Sequence, residues 1–595
     1  MKTRNLLIAG ILFFAFFTAC QQPLDKQDFI TDCEKSGFTQ TPRYAETLEY
    51  CRLLAANSSK IHFTTIGTSP QGREIPLLIV DKNGYTDAAK VRQSGRAVVL
   101  AEACIHAGEP DGKDAGLMFI RDIALFDELP GLLDSVTLLF IPILNVDGHE
   151  DFGEHYRINQ NGPIEVGARA TKQNYNMNRD FVKADAPETR ALLKLYNEWM
   201  PEIFIDFHVT NGADFQYVST YGLPNSEFLT ANMLEWSNNV FEKELTRRME
   251  QDGFPIFPYF YPVRGFDKKE AIASDFAPQY SNGYASANNR IGLLVENHIY
   301  KPYKDRVAIS YLYLKNALGI AAERSTELQR EIAAADRFVS SPEFRMDSLT
   351  LSYRVDYDNP ARVPFLGWKE ITVTSDLSGG QWRYFDYDSP VTEEYALYNS
   401  FIPEKQVKLP EAYIIPQEQM ETIALLDVHG ISYSLLEKET EMEVESYRFT
   451  RAEWSDVPYE GRITLNAEYD VVRETLQYHT GDVIVSTSQP KVHLVAHMLE
   501  PKSPTSLLYW GFFNNFIQAP NEFWISLPYM EVKGREMLER DPALRAEFEA
   551  RKTNDPAFAK DPNTILNFFM TKVRASVERG SNRYPVGRIM TATNS

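Results

Sequence analysis

Apolar positions at Tyr44, Leu48, Cys51 and Leu54 recur at the three-and-four spacing of a helix that buries one face, and predict a packed helix over residues 41–57. Downstream the pattern changes to short runs apolar at every position: 75–80, 98–100, 136–143, 203–207 and 291–295. Strands buried on both faces of a mostly parallel sheet have this composition. The stretch 187–199 between two of them has helical spacing, so strands and helices alternate as in an α/β domain, which ends near Asp336. Beyond it, "LTLSYRVDY", "EITVTSD", "RITLNAEYDVV" and "DVIVSTS" alternate apolar and polar residues as half-buried strands do. The piece 411–439 reads as strand, helix, strand with Gly430 at the helix C-cap, and charged helical segments return over 534–573. This second region is expected to be a smaller α/β or α+β accessory part.

A chain of 595 residues exceeds what one core organises, so more than one domain is expected. A formal charge of -21 argues against a phosphate-binding surface and therefore against nucleic acid as a partner.

The first residues, "MKTRNLLIAGILFFAFFTACQQ", place two cations before a short apolar run and small residues before Cys20. The run is too short to span a bilayer but suits a secretory signal. The arrangement resembles a bacterial lipoprotein signal, although Phe17 stands where that motif usually has leucine. The resemblance implies removal of residues 1–19, lipidation of Cys20, and a body on the cell envelope whose only membrane contact is that lipid. An exported chain would permit a Cys33–Cys51 disulfide, and Cys104 at a strand end reads as a small buried apolar residue.

The chemistry concentrates at strand ends, where open parallel sheets bind ligands. "ACIHAGEPDG" follows the run at 98–100 and brings His106 and Glu109 together on a loop, since Gly108 and Pro110 disfavour a helix there. "EIFIDFHVTNG" ends a strand at His208, and "RIGLLVENHIY" ends one at Glu296. Two histidines and a carboxylate are a common catalytic zinc set, with the fourth position left for water. A carboxylate directly after Leu293-Leu294-Val295 is costly unless a charge or metal compensates it. His298 lies two residues further on, and the His493/His497 pair lacks a third ligand nearby.

"HAGE", then "NMNRDF", a strand-end histidine and "LLVEN" together resemble the zinc carboxypeptidase family typified by carboxypeptidase A, over roughly residues 40–320. The resemblance implies a mixed, mostly parallel sheet flanked by helices in a catalytic domain of residues 20–336, with residues 337–595 as the accessory region. It implies one zinc per chain on His106, Glu109 and His208, and Glu296 as general base. Asn178 and Arg179 match the residues that hold the substrate's C-terminal carboxylate. For the arginine that polarises the scissile carbonyl, Arg169 in "EVGARAT" is preferred to Arg157, and Ala168 departs from the family's tryptophan. Tyr284, with Tyr280 as alternative, stands for the family's mobile tyrosine. The expected activity is removal of C-terminal residues from peptides or proteins. The alternatives are a zinc amide hydrolase acting on cell-wall peptides or acylated amino acids, and a non-catalytic binding lipoprotein.

Overall fold

The computed structural model describes residues 24–210, 212, 214–224, 228–263, 269–274, 276–517, 526–577 and 582–591. Cys20 and the signal stretch 1–19 lie outside these residues. Among the described residues no helix is long and apolar enough to cross a membrane.

Ten strands belong to the first region: β1 (Ile61–Thr68), β2 (Glu74–Val80), β3 (Ala97–Glu102), β4 (Val136–Ile141), β5 (Ile203–Thr210), β6 (Ser219–Gly222), β7 (Phe257–Pro258), β8 (Phe260–Pro262), β9 (Glu270–Ala273) and β10 (Ile291–His298). Eight of them form one mixed sheet in the order β1-β2-β4-β3-β5-β10-β6-β7. Its centre, β4-β3-β5-β10, is parallel, and antiparallel pairings of β1, β2 and β6 flank it. Every residue of β3 and β4 is buried, as their unbroken apolar runs require. Helices Tyr44–Asn57 and Pro187–Trp199 fall where the periodicity puts them, the former burying Leu48, Cys51 and Leu54.

The second region carries β11 (Ser348–Val355), β12 (Ala361–Thr374), β13 (Gln381–Tyr398), β14 (Phe401–Lys408), β15 (Ala412–Ile415), β16 (Ser434–Leu435), β17 (Thr440–Trp454), β18 (Leu465–Tyr478), β19 (Val483–Ser486) and β20 (Gly587–Ile589). A six-stranded sheet, β16-β19-β15-β20-β17-β18, packs with helices Met420–Val428 and Val492–Leu499. Gly430 has φ of 60°, as a helix C-cap requires. Helices Leu527–Arg540, Pro542–Asn554 and Pro562–Val577 gather around a separate small core that includes Met530, Phe548 and Phe569.

The two regions share a sheet. The long β12–β13 hairpin continues from β9 in the order β12-β13-β9-β8, with Ala396 paired to Glu270. Chain from beyond residue 360 therefore buttresses strands inserted between β7 and β10.

Cys33, Cys51 and Cys104 are all buried and unpaired, so the permitted Cys33–Cys51 disulfide is not formed. Cys51 sits in the main core, whereas Cys33 packs in a separate cluster with Ala115, Tyr303 and Val307.

Candidate metal centre and peptide cleft

The loop that quits β3 turns at Cys104, whose φ of 57° reverses the chain without a glycine. His106 and Glu109 follow on a tight turn, Glu109 N donating to His106 O at 3.0 Å. Between them Gly108 is required by close approach, because a Cβ there would meet Arg157 Cδ at 2.7 Å and the Gly167 carbonyl at 2.9 Å. The helix Asp111–Ala124 then begins and fixes the loop against the sheet. His208 and Glu296 lie opposite each other in the register of β5 and β10, at the carboxyl ends of parallel strands.

His106 Nδ1 is 3.3 Å from Glu109 Oε2, His208 Nδ1 is 3.0 Å from the same oxygen, and the two Nδ1 atoms are 3.1 Å apart. All three residues are buried, and their ligand atoms lie within 4.8 Å of one another. The outer nitrogens are held by oxygens. His106 Nε2 contacts Asn176 Oδ1 at 2.9 Å, and His208 Nε2 contacts Asp206 Oδ2 at 2.8 Å. Protons on both Nε2 atoms leave two Nδ1 lone pairs and a carboxylate oxygen converging on one point, which demands a cation there. Asn178 Nδ2 also lies 3.0 Å from His208 Nε2, but the shorter contact to a carboxylate sets the tautomer. The donor set fits a divalent transition metal of the zinc type.

The electrostatics agree. Burial pushes His106 down to about 4, so its ring stays neutral. Burial also opposes charge on His208, but Asp206, Glu109 and Glu296 together outweigh it and hold that ring well above its ordinary value. Glu109 is likewise penalised by burial, yet His106 and Arg157 hold its carboxyl well below the usual range. Without a metal, a proton on His208 supplies the positive charge that the point requires.

Glu296 opens on the same cleft. Its Oε2 is a buried atom with no hydrogen-bond partner among the described residues, and burial pushes its carboxyl up to about 7, with His208 and Arg169 pulling it back and Glu109 and Asp206 adding to the rise.

A cavity of about 480 Å³ joins His106, Glu109, His208 and Glu296 to Asn178, Arg179, Arg157 and Arg169. Both candidate carbonyl arginines touch Glu109 Oε1, Arg157 at 2.8 Å and Arg169 at 3.2 Å. They differ in freedom. Arg157 is one-tenth exposed and also bonded to the Val209 carbonyl and Gln160, whereas the Arg169 side chain is 52% exposed. Arg179 makes no ion pair among the described residues. The neighbouring Asp180 is taken by Lys183 and by the backbone N–H groups of Asp185 and Ala186. Arg179 Nη1 donates to the Asn178 carbonyl at 2.7 Å, and its guanidinium lies 4.4 Å over the Tyr280 ring. Asn178 is more committed: its Oδ1 accepts from Ser281 N at 3.1 Å.

Tyr284 is not in the cleft. It is fully buried one turn inside the helix Ser281–Ala287, its ring against Phe181 and Tyr196 and its hydroxyl 3.1 Å from His429 Nδ1. Tyr280, at that helix's N-terminus, lines the cavity instead. The sequence reading missed the aromatic residues Tyr259, Tyr261 and Phe276, because only Tyr261 lies in a strand, of three residues, and the other two lie in connecting chain that carries no periodicity. Asp206, which the sequence analysis did not select, lies with Oδ2 2.8 Å from His208 Nε2 and orients that ring. His298 packs edge-on to Phe215 outside the cavity, and His497 bonds Ser503.

A mixed sheet whose central, parallel strands gather two histidines, a glutamate and a further carboxylate at their ends around one cleft fits a metal-dependent hydrolase domain. Residues 47–265 match a family model described as zinc carboxypeptidase. The match ends before β10, so Glu296 joins the site through strand register alone. Similar curated proteins include carboxypeptidase 2 of Trichophyton rubrum, 23% identical over 499 residues that cover 80% of this chain and 85% of that protein. The corresponding protein of Trichophyton tonsurans is 23% identical over 500 residues, with the same coverages. Among solved structures, carboxypeptidase A from Helicoverpa armigera aligns with 50% of this chain and 75% of its own at 16% identity and a TM-score of 0.35. A metallo-carboxypeptidase from Burkholderia cenocepacia aligns with 47% and 68% at 16% identity and a TM-score of 0.33.

Proposed function

We propose that the protein is a zinc-dependent carboxypeptidase that binds one zinc per chain and releases C-terminal residues from peptides outside the cytoplasm, tethered by a lipid on Cys20. The observation that carries the reading is Arg179, a guanidinium without a carboxylate partner among the described residues, in the same cavity as the His106–Glu109–His208 point. Its planar fork suits a free carboxylate in a way no lysine can copy.

His106, Glu109 and His208 would hold the metal, which when bound supplies a Lewis acid for the peptide carbonyl and for water. Glu296 takes the proton of the attacking water at its carboxylate and returns it to the leaving amine. Its upward displacement by burial brings its proton affinity near neutral pH, as a two-way proton carrier needs. Arg169, the freer of the two arginines, is placed to donate to the oxygen that gains charge. Asn178 and Arg179 fix the carboxylate end, and Tyr259, Tyr261 and Phe276 line the same cavity with aromatic rings.

The test is zinc-loaded protein with matched peptides ending in a free carboxylate or an amide, products identified by mass spectrometry. Release of single C-terminal residues from the free acids alone is expected. Equal cleavage of the amides would instead favour the broader amide hydrolase.

A further inference from the structure

The segment 176–186, which carries Asn178 and Arg179, closes on itself around charge. The two carboxylate oxygens of Asp180 accept from the backbone N–H groups of Asp185 and Ala186, each at 2.9 Å. Lys183 Nζ lies between two carboxylates, 2.5 Å from Asp180 Oδ1 and 3.0 Å from Asp185 Oδ2. The first region holds the middle of the segment, Ser281 N donating to Asn178 Oδ1 at 3.1 Å and Phe181 N to the Gln279 carbonyl at 3.3 Å.

Both ends are met from the accessory region. There the connection between β17 and β18 makes a two-residue turn, Tyr459 N donating to Arg462 O at 2.8 Å and Arg462 N to Tyr459 O at 3.0 Å. At one end of the segment, Arg462 Nε and Nη2 donate to the two oxygens of Asp185 at 3.0 and 2.5 Å. At the other end, Glu460 Oε1 accepts from Asn176 Nδ2 at 3.4 Å, and a Cβ on Gly461 would lie 3.1 Å from Tyr175 Cε1. The turn is itself held. The Tyr459 ring stacks on buried Trp510 with planes 10° from parallel, the Arg462 guanidinium lies 3.9 Å over the Phe512 ring, and its Nη2 also donates to Glu421 Oε1 at 3.2 Å.

We propose that Arg462 is a positioning residue of the peptidase site: by closing the Asp180–Lys183–Asp185 cluster from the accessory region, it fixes the segment from which Asn178 and Arg179 reach the substrate's terminal carboxylate. The proposal rests on the reading of those two residues as the carboxylate clamp. In the cluster two carboxylates share one ammonium, all three side chains at most 8% exposed, and Arg462 supplies the second cation. A buried carboxylate that loses its partner is costly, so without Arg462 the Asp185 carboxylate competes with Asp180 for Lys183. Asp180 follows Arg179 directly in the chain, and the loop that Asp180 closes sets where the Arg179 side chain starts. Arg462 does not line the cavity, so it acts through this segment and not on the substrate.

The test uses the full chain loaded with zinc. Arg462→Gln removes the charge and the fork; for free-acid peptides KM should rise roughly three- to tenfold with kcat within about twofold of wild type, because a loosened clamp must be ordered when the substrate binds. Residual cleavage of amidated peptides, and zinc affinity in chelator competition, should not change. Arg462→Lys keeps the charge without the two-pronged grip and should raise KM roughly two- to threefold; it carries the comparison if Arg462→Gln does not fold. The double variant Asp185→Asn/Arg462→Gln should be no worse than the poorer of its two single variants, since both act through one contact. Unchanged KM, equal loss on free-acid and amidated peptides, or losses that multiply in the double variant would overturn the proposal while leaving the clamp in place. A wild type indifferent to the free carboxylate would remove the clamp reading and this proposal with it.

Discussion

Glu296→Gln tests whether one carboxylate both destabilises the fold and runs the chemistry. Its carboxyl is displaced from 4.5 to about 7 because burial disfavours the charged form. The folded protein therefore keeps this proton longer than the unfolded chain does. Below about pH 4.5 the group is neutral in both states and costs nothing; stability falls as pH rises from there to about 7, and the full penalty persists above. The displacement corresponds to about 3 kcal/mol, which we reduce to about 2 because the side chain opens on cleft water. Glutamine is neutral at every pH and nearly isosteric, so metal-free Glu296→Gln should exceed metal-free wild type by about 2 kcal/mol at pH 8 and match it near pH 4. Urea denaturation of the two metal-free proteins across that range measures the difference. With zinc bound, the variant should retain the metal, since Glu296 is not one of the three converging ligands, and lose on the order of a hundredfold or more in kcat. Equal stability of the two proteins at pH 8 would refute the burial argument, and a kcat within about threefold of wild type would refute the general-base role.

Asp206→Asn should weaken zinc affinity by roughly ten- to a hundredfold in chelator competition, because a neutral amide holds the His208 Nε2 proton less firmly; unchanged affinity would show that Asp206 does not orient that ring. Arg179→Lys should lower kcat/KM about tenfold or more on free-acid peptides and little on amidated ones, and equal loss on both would discard the clamp. Cys20→Ser should move the protein from the membrane fraction to the soluble fraction, and continued firm membrane association would end the lipoprotein assignment.

The sequence by itself determined the features governed by local rules. Unbroken apolar runs gave the central strands, three-and-four spacing gave the helices Tyr44–Asn57 and Pro187–Trp199, and glycine and proline around Glu109 turned a helix-compatible H-x-x-E into a loop. Strand ends in such sheets collect ligands, so His106, Glu109, His208 and Glu296 could be chosen before any coordinates. Tertiary structure decided what depends on which surfaces meet. Tyr280 and Tyr284 are one helical turn apart, and only the packing of their helix against Phe181 and Tyr196 puts one in the cleft and the other in the core. The two arginines are alike in sequence; the bond to the Val209 carbonyl immobilises Arg157 and leaves Arg169 freer. The contact of the turn at 459–462 with Asn176, through Glu460 Oε1 at 3.4 Å, joins residues 284 positions apart. No periodicity records such a contact, because it is fixed by the docking of Arg462 on Asp185 and of Tyr459 on Trp510, where shape and charge are matched across two regions of the folded chain.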